Sequence, residues 1–276
     1  MTLSKPLFIL LFCTFGWYST KAQQQEIFVD HIETFLNAIG PNRHIRLAPG
    51  VYELMDGRDI RSPYFTWGSE DSDHELTIHD VDGLTITGSG KAQVLMEDTY
   101  SWVCKFQRTN RLRLENLTFG HLTENECYGG VLSFHDLEDV QVSHCILFGS
   151  GLEGIELDSV KGFTFRGSTI KECTYDLMYL NESEDLVFED AFFLDTRYGD
   201  PITLEDVHDV RFTRCTFQGN ETGYGNHHFW YIGDNVAHIL LQDCAFLNNR
   251  VDYFSSDETL IKLENVTFRD NKFEEP

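Results

Sequence analysis

The chain has 276 residues, with 45 acidic against 21 basic side chains and a formal charge of −24. A surface of that sign repels nucleic acid and anionic lipid, so no nucleic-acid partner is expected, and it attracts cations. Apolar residues at 41% and aromatics at 13% are too many for a disordered chain.

The opening segment reads as a secretory signal. Lys5 supplies the basic start, Leu7 to Trp17 the apolar stretch, and Thr20-Lys21-Ala22 a small-residue cleavage site. The stretch is too short for a stop-transfer helix, and no later segment has the about 18 consecutive apolar residues of a span, so membrane insertion is not expected. Loss of residues 1–22 removes two lysines and no acids, taking the charge from −24 to −26. The expectation is a secreted protein, extracellular or periplasmic, with 23–276 as one domain.

Outside the signal there are six cysteines: Cys104, Cys127, Cys145, Cys173, Cys215 and Cys244. No Cys-x-x-Cys or metal-type Cys/His spacing occurs. Cys127 and Cys173 are placed two coils apart by the repeat described below, so a bridge between them needs help from the loop carrying Cys127.

Residues 30–39 predict a short amphipathic helix. Asp30 is its N-cap, Glu33 completes a capping-box spacing, Ile32, Phe35, Leu36 and Ile39 form the apolar face, and Gly40-Pro41 stops it. A strand pair follows, Ile45-Arg46-Leu47 and Val51 to Leu54, turned through Pro49-Gly50. The segment at about 27–56 is expected to cap a solenoid, whose open end otherwise exposes apolar surface and unpaired backbone. Residues 57–75 read as an acidic, irregular loop without EF-hand spacing. Coils are expected over about 76–271, irregular at first.

From Leu112 to Phe268 the chain repeats apolar-x-apolar-x-x-small-x-apolar seven times. The rungs end at Phe119, Leu147, Ile170, Phe193, Phe217, Phe246 and Phe268, at steps of 28, 23, 23, 24, 29 and 22 residues. The first apolar column runs Leu112, Val140, Phe163, Leu186, Val210, Ile239, Ile261, and the second Leu114, Val142, Phe165, Phe188, Phe212, Leu241, Leu263. The small position holds Leu117, Cys145, Ser168, Ala191, Cys215, Cys244 and Val266, so three cysteines are expected in the core. Period-two alternation marks strands with one inward face. No helical pattern separates them, so they must stack in parallel as successive coils about 4.8 Å apart. A second strand precedes each rung, as in Ile155-Glu156-Leu157 and Met178-Tyr179-Leu180. The two long steps reflect loops at 120–130 and 218–228, where function is favoured.

The chain resembles the right-handed parallel β-helix proteins of the pectin lyase-like superfamily over about residues 27–271. The likeness is carried by Ile45-Arg46-Leu47-Ala48-Pro49-Gly50-Val51-Tyr52, Asn116-Leu117-Thr118-Phe119-Gly120-His121, Cys127-Tyr128-Gly129-Gly130-Val131-Leu132, Gly149-Ser150-Gly151 and Glu172-Cys173-Thr174-Tyr175. It implies an all-β, right-handed parallel β-helix solenoid with a short N-terminal capping helix, a fold that hosts many chemistries. Among such proteins, Ca²⁺-dependent pectate lyases need a basic residue on the sheet face, and the outward columns read here contain neither Lys nor Arg. The polygalacturonase motifs Asn-Thr-Asp, Asp-Asp, Gly-His-Gly and Arg-Ile-Lys are absent.

The outward face of the second-strand sheet is where chemistry is expected. Its central column reads Ser133, Glu156, Tyr179, Thr203, Ile232, and two residues on lie His135, Asp158, Asn181, Glu205, Asp234. Three residues before the centre, Glu153, Asp176 and Asp200 form an acidic ladder across three coils. Like charges so close raise one another's pKa or attract a cation. The ladder therefore supports three readings: carboxylates for acid/base cleavage of a glycosidic bond, a Ca²⁺ site built from Glu153, Asp176 and Asp200 against an anionic sugar, or a solvated acidic edge without a ligand. Tyr175, Tyr179 and Trp230 are candidate sugar-stacking surfaces, with Glu156, Glu205 and His135 beside them. His121, in a loop with Glu124 and Glu126, is a candidate base or a turn residue. His227 and His228 are expected on opposite sides of a strand. Four glycosylation sequons, at Asn116, Asn181, Asn220 and Asn265, complete the inventory, and Asn116 and Asn265 share one rung position. The expected partner is a polysaccharide, bound in one reading and also cleaved in another; the alternative is a structural or adhesive surface solenoid.

Overall fold

The computed structural model describes residues 25–68, 72–122, 127–223 and 225–273. The expected signal segment, Glu124 and Glu126 lie outside the described residues. The described chain forms one sheet of 22 strands, wound as a parallel solenoid, with a single antiparallel pairing between Phe65–Trp67 and Leu76–His79.

Each regular coil has three walls. Long bent strands, Leu132–Ser143, Ile155–Arg166, Met178–Glu189 and Ile202–Thr213, run along the first wall and turn into the second. Three-residue strands form the third wall, from Ile146–Phe148 through Thr169–Lys171, Phe192–Leu194, Thr216–Gln218 and Ala245–Leu247 to Thr267–Arg269.

The sequence explains the corners. The bend between the first two walls uses two left-handed residues three apart, Asp136 and Asp139 (φ 57° and 59°) or Asp206 and Asp209 (52° and 57°). The next corner uses one, at Asn116, His144, Gly167, Asp190, Arg214, Asp243 and Asn265. Short polar side chains enter this region at lower cost than branched ones. The shared position of Asn116 and Asn265 thus follows from the corner itself.

The inward columns pack as the repeat predicts. Phe193, Phe217, Phe246 and Phe268 stack at centroid spacings of 4.9, 4.6 and 5.1 Å, and Phe188 stacks on Phe212 at 4.4 Å. Cys145, Cys215 and Cys244 are buried in the small position, and none of the six described cysteines is bridged. A buried ladder absent from the sequence reading lines the corner after the third wall. The side-chain amide of Asn220 donates to Asn249 Oδ1 (2.9 Å), and that of Asn249 donates to Asn271 Oδ1 (2.9 Å). Asn220 is therefore a structural residue, and its burial withholds it from glycosylation.

The capping helix forms over Ile32–Ala38, burying Ile32, Phe35, Leu36 and Ala38. Its N-cap is His31 rather than Asp30, because the strand Gln25–Val29 reaches to Val29 and pairs with Arg43–Leu47. Asp30 instead holds the His31 ring at 2.6 Å. Arg43 closes the other end, donating from Nη1 to Ala38 O at 2.7 Å. The expected strand pair is corrected: Arg43–Leu47 and Gly50–Glu53 do not pair with each other, but each pairs in parallel with Thr85–Met96 on the next coil.

Candidate functional site

The outward face of the first wall is set by register. Lys105, Ser133, Glu156, Tyr179, Thr203 and Tyr231 are successive Cα partners, and beside them run Gln107, His135, Asp158, Asn181 and Glu205. Two expectations change. Tyr231, not Ile232, continues the central column, so Gly233 rather than Asp234 follows Glu205. Trp230 turns inward, is 0% exposed, and packs edge-on against Phe212 at 5.1 Å. It cannot stack on a sugar. The slip of one residue arises in the long 218–228 loop, whose extra length the repeat does not specify.

The other correction concerns charge. Lys105, on the strand Cys104–Gln107 just before the first regular long strand, brings a base to the column. Its Nζ lies 3.0 Å from Glu75 Oε1, a carboxylate only 2% exposed, and 5.6 Å from the Trp102 ring centroid. Its signal was a polar residue between inward Cys104 and Phe106, readable only once that irregular coil is aligned.

Most polar groups on this face hold one another. Ser133 Oγ donates to Glu156 Oε2 (2.7 Å), Tyr179 OH to Glu205 Oε2 (3.1 Å), and the Asn181 amide to Asp158 Oδ1 (3.0 Å). His135 Nδ1 lies 2.7 Å from Asp158 Oδ2. Burial, and then the bond to Glu205, pushes the Tyr179 hydroxyl up to about 12.

The ladder Glu153, Asp176, Asp200 occupies the last residues before the wall, on three adjacent coils. Val131 N–H donates to Glu153 O (3.0 Å) and Gly154 N–H to Asp176 O (3.2 Å), which holds the backbones in step. Burial raises the Glu153 carboxyl to about 7, helped by the charge of Glu156. Burial raises Asp176 to about 8, with Glu153 and then Asp200 adding to it and the Thr203 hydroxyl opposing. Gly199 makes room for this carboxylate: at φ +75° it faces Asp176, and a Cβ there would lie 2.6 Å from Oδ1.

The ladder is not a preformed calcium site. Among the described residues no three His, Cys, Asp or Glu side chains are grouped to hold a metal ion. Asp200 is drawn away, accepting the His228 backbone N–H and lying 3.7 and 3.9 Å from the Nδ1 atoms of His227 and His228. Both histidines therefore face one carboxylate, contrary to the expected opposite sides, because the strand begins only at His228. His121 is also corrected as a candidate base. It is 4% exposed, its ring Nε2 lies 2.9 Å from Ser101 O, and burial lowers its pKa, so it is a neutral core histidine out of reach of a surface ligand.

A feature missed in the sequence flanks the ladder. Tyr100, Tyr128, Leu152, Tyr175 and Tyr198 come from the loops leading into five successive coils, and all are exposed. Tyr100 stacks on Tyr128 at 5.2 Å, and the Tyr175 and Tyr198 rings lie 6.1 Å apart. Four steps of about 4.8 Å give a track of about 19 Å, two tyrosine pairs with Leu152 between them. Tyr175 alone was anticipated, because these loops differ in length and do not align by a fixed period.

A parallel solenoid with this repeat matches the family model for the right-handed β-helix region over residues 71–273, and the chain belongs to that family. No curated protein matches it in sequence. Among solved structures it is similar to a pectate lyase from Paenibacillus sp. 0602, at 10% identity and TM-score 0.60, over 93% of this chain and 80% of that one. It is also similar to pectate lyase Bsp165PelA from Bacillus sp. N165, solved with trigalacturonate (11%, TM-score 0.53, 92% of this chain and 83% of that one). Pectate lyase II from Xanthomonas campestris pv. campestris is comparable (12%, 0.52, 92% and 81%). At these identities the shared property is the fold.

Proposed function

We propose that the protein is exported and engages a glycan along the first wall, with the chain lying across the coils between the tyrosine track and the carboxylate ladder. The observation that carries this is the juxtaposition itself: exposed tyrosine rings on four of five successive coils, with Leu152 on the fifth, beside Glu153, Asp176, Glu156 and Glu205. Tyrosines offer sugar rings an apolar face together with a hydroxyl, and carboxylates accept hydrogen bonds from sugar hydroxyls. Export is supported by the apolar segment at Leu7 to Trp17, and among the described residues no helix is long and apolar enough to cross a membrane.

Charge narrows the ligand. The face carries the carboxylates Glu156, Asp158, Asp200 and Glu205, with Glu153 and Asp176 raised towards neutrality beside them, against Lys105, which is committed to Glu75. Each like-charge approach to about 4 Å costs about 1 kcal/mol even in water. A neutral or amino-bearing glycan therefore suits the face better than a uronan. If the glycan is cut, Asp176 is the proton donor, since its carboxyl stays protonated at neutral pH.

The test is a polysaccharide panel, neutral, amino-bearing and uronic, with and without Ca²⁺, read by thermal shift and by release of reducing ends and unsaturated products. Neutral or amino glycans should bind. The double change Tyr175→Ala with Tyr198→Ala should weaken binding about 5- to 150-fold without lowering Tm, at about 1–3 kcal/mol for lost ring stacking. Asp176→Asn should retain binding and abolish any cleavage. No shift from any glycan sinks the reading, and preference for uronans overturns its charge argument.

A further inference from the structure

We infer that Cys215 and Cys244 form a disulfide that staples two adjacent coils. Both occupy the small position of their rungs, and the residues that follow them, Thr216 and Ala245, are Cα partners. Ala245 N–H donates to Cys215 O at 2.9 Å, so the two cysteine backbones sit one coil step apart. That step, about 4.8 Å, falls within the Cα separation of about 4.4–6.8 Å that a disulfide spans.

No other described pair shares this arrangement. Below Cys215 the column holds Ala191 and Ser168 before Cys145, so that thiol is three coils away. The Cys127 thiol instead reaches Thr99 O (3.5 Å), and the Cys173 thiol interacts with Ser150. Core packing alone explains small residues in this column, since Ser168 and Ala191 serve equally well. It does not require two thiols in register.

The chemistry is thiol–disulfide exchange. One thiolate attacks a small-molecule or protein disulfide and releases a thiol; the second attacks the resulting mixed disulfide and releases the other. Two S–H bonds are lost, one S–S bond forms, and the donor disulfide carries away the two electrons and two protons as two thiols. Both sulfurs are buried in the folded chain, so the bond forms before the last coils close. The inference rests on the proposed export only for its physiological oxidant.

The full chain, reduced and unfolded, is refolded with glutathione disulfide, denatured without reductant, alkylated and digested. Cleavage after Arg214 and Arg250 leaves both cysteines in one peptide, and a further cut after Glu221 separates them. The expected result is a peptide lacking two hydrogens and free of alkyl label, whose halves stay joined after the second cut until reductant is added. Refolding under reductant should lower Tm in the natural chain and leave Tm unchanged in a Cys215→Ala, Cys244→Ala chain. Alkylation of both cysteines, or linkage of either to another partner, overturns the inference. Mapping the chain isolated after export reports separately on the export reading.

Discussion

Acidic residues on the first wall and those on the corners and second wall obey opposite rules. At the corners, arginines answer them: Arg214 bridges Asp190 (2.7 Å) and Glu189, and Arg108 grips Asp80 (2.7 Å). The Arg108 guanidinium, and then His79, hold Asp80 down at about 2. On the first wall, Glu153 and Asp176 face burial and each other, and are pushed up to about 7 and 8. The same residue type thus serves as ion-paired surface charge in one region and as a buried carboxyl held towards its protonated form in the other. Perturbed groups of the second kind are the ones that concentrate at functional sites.

The largest expected effect lies where the first wall departs from its own rule. Glu75 is buried and Lys105 is its cation, so Lys105→Ala strands a buried charge and should cost about 3–5 kcal/mol in urea unfolding. The pair of changes Glu75→Gln and Lys105→Met should recover most of that loss. An equal loss in both would mean that Lys105 stabilises by packing on Trp102.

Next comes pH. Carboxyls raised on folding contribute stability that is fully present below their unfolded values near 4, and that is lost as pH rises through about 7 and 8. Stability should therefore fall as pH rises from about 4 to about 8, and Asp176→Asn should remove most of the slope. The corner acids run the other way. Asp80 contributes above its unfolded value, and that contribution is lost as pH falls through about 2. A flat profile from about pH 4 to about 8 would erase the contrast between the regions.

The smallest effect belongs to the exposed pairs. Arg214→Ala should leave Tm nearly unchanged, and the small loss should shrink further in high salt. A larger loss, insensitive to salt, would show that the corner network supports the coils rather than merely neutralising them.

The repeat alone determined the architecture. An apolar period of two inside a period of 22 to 29 residues admits only stacked parallel coils, and the inward columns follow because each misplaced residue would expose core. It placed Glu153, Asp176, Asp200, Glu156 and Tyr179 on one face, since those coils are regular. Only the tertiary structure decided what lay beyond regular coils. Lys105 joined the column from an irregular coil, Trp230 and Tyr231 exchanged faces after a long loop, His121 sank into the core, and five loops of unequal length aligned their aromatic and apolar side chains. Periodicity specifies position where the register is constant. Where a loop absorbs an unspecified number of residues, a slip of one reverses inside and outside, and only packing selects between them.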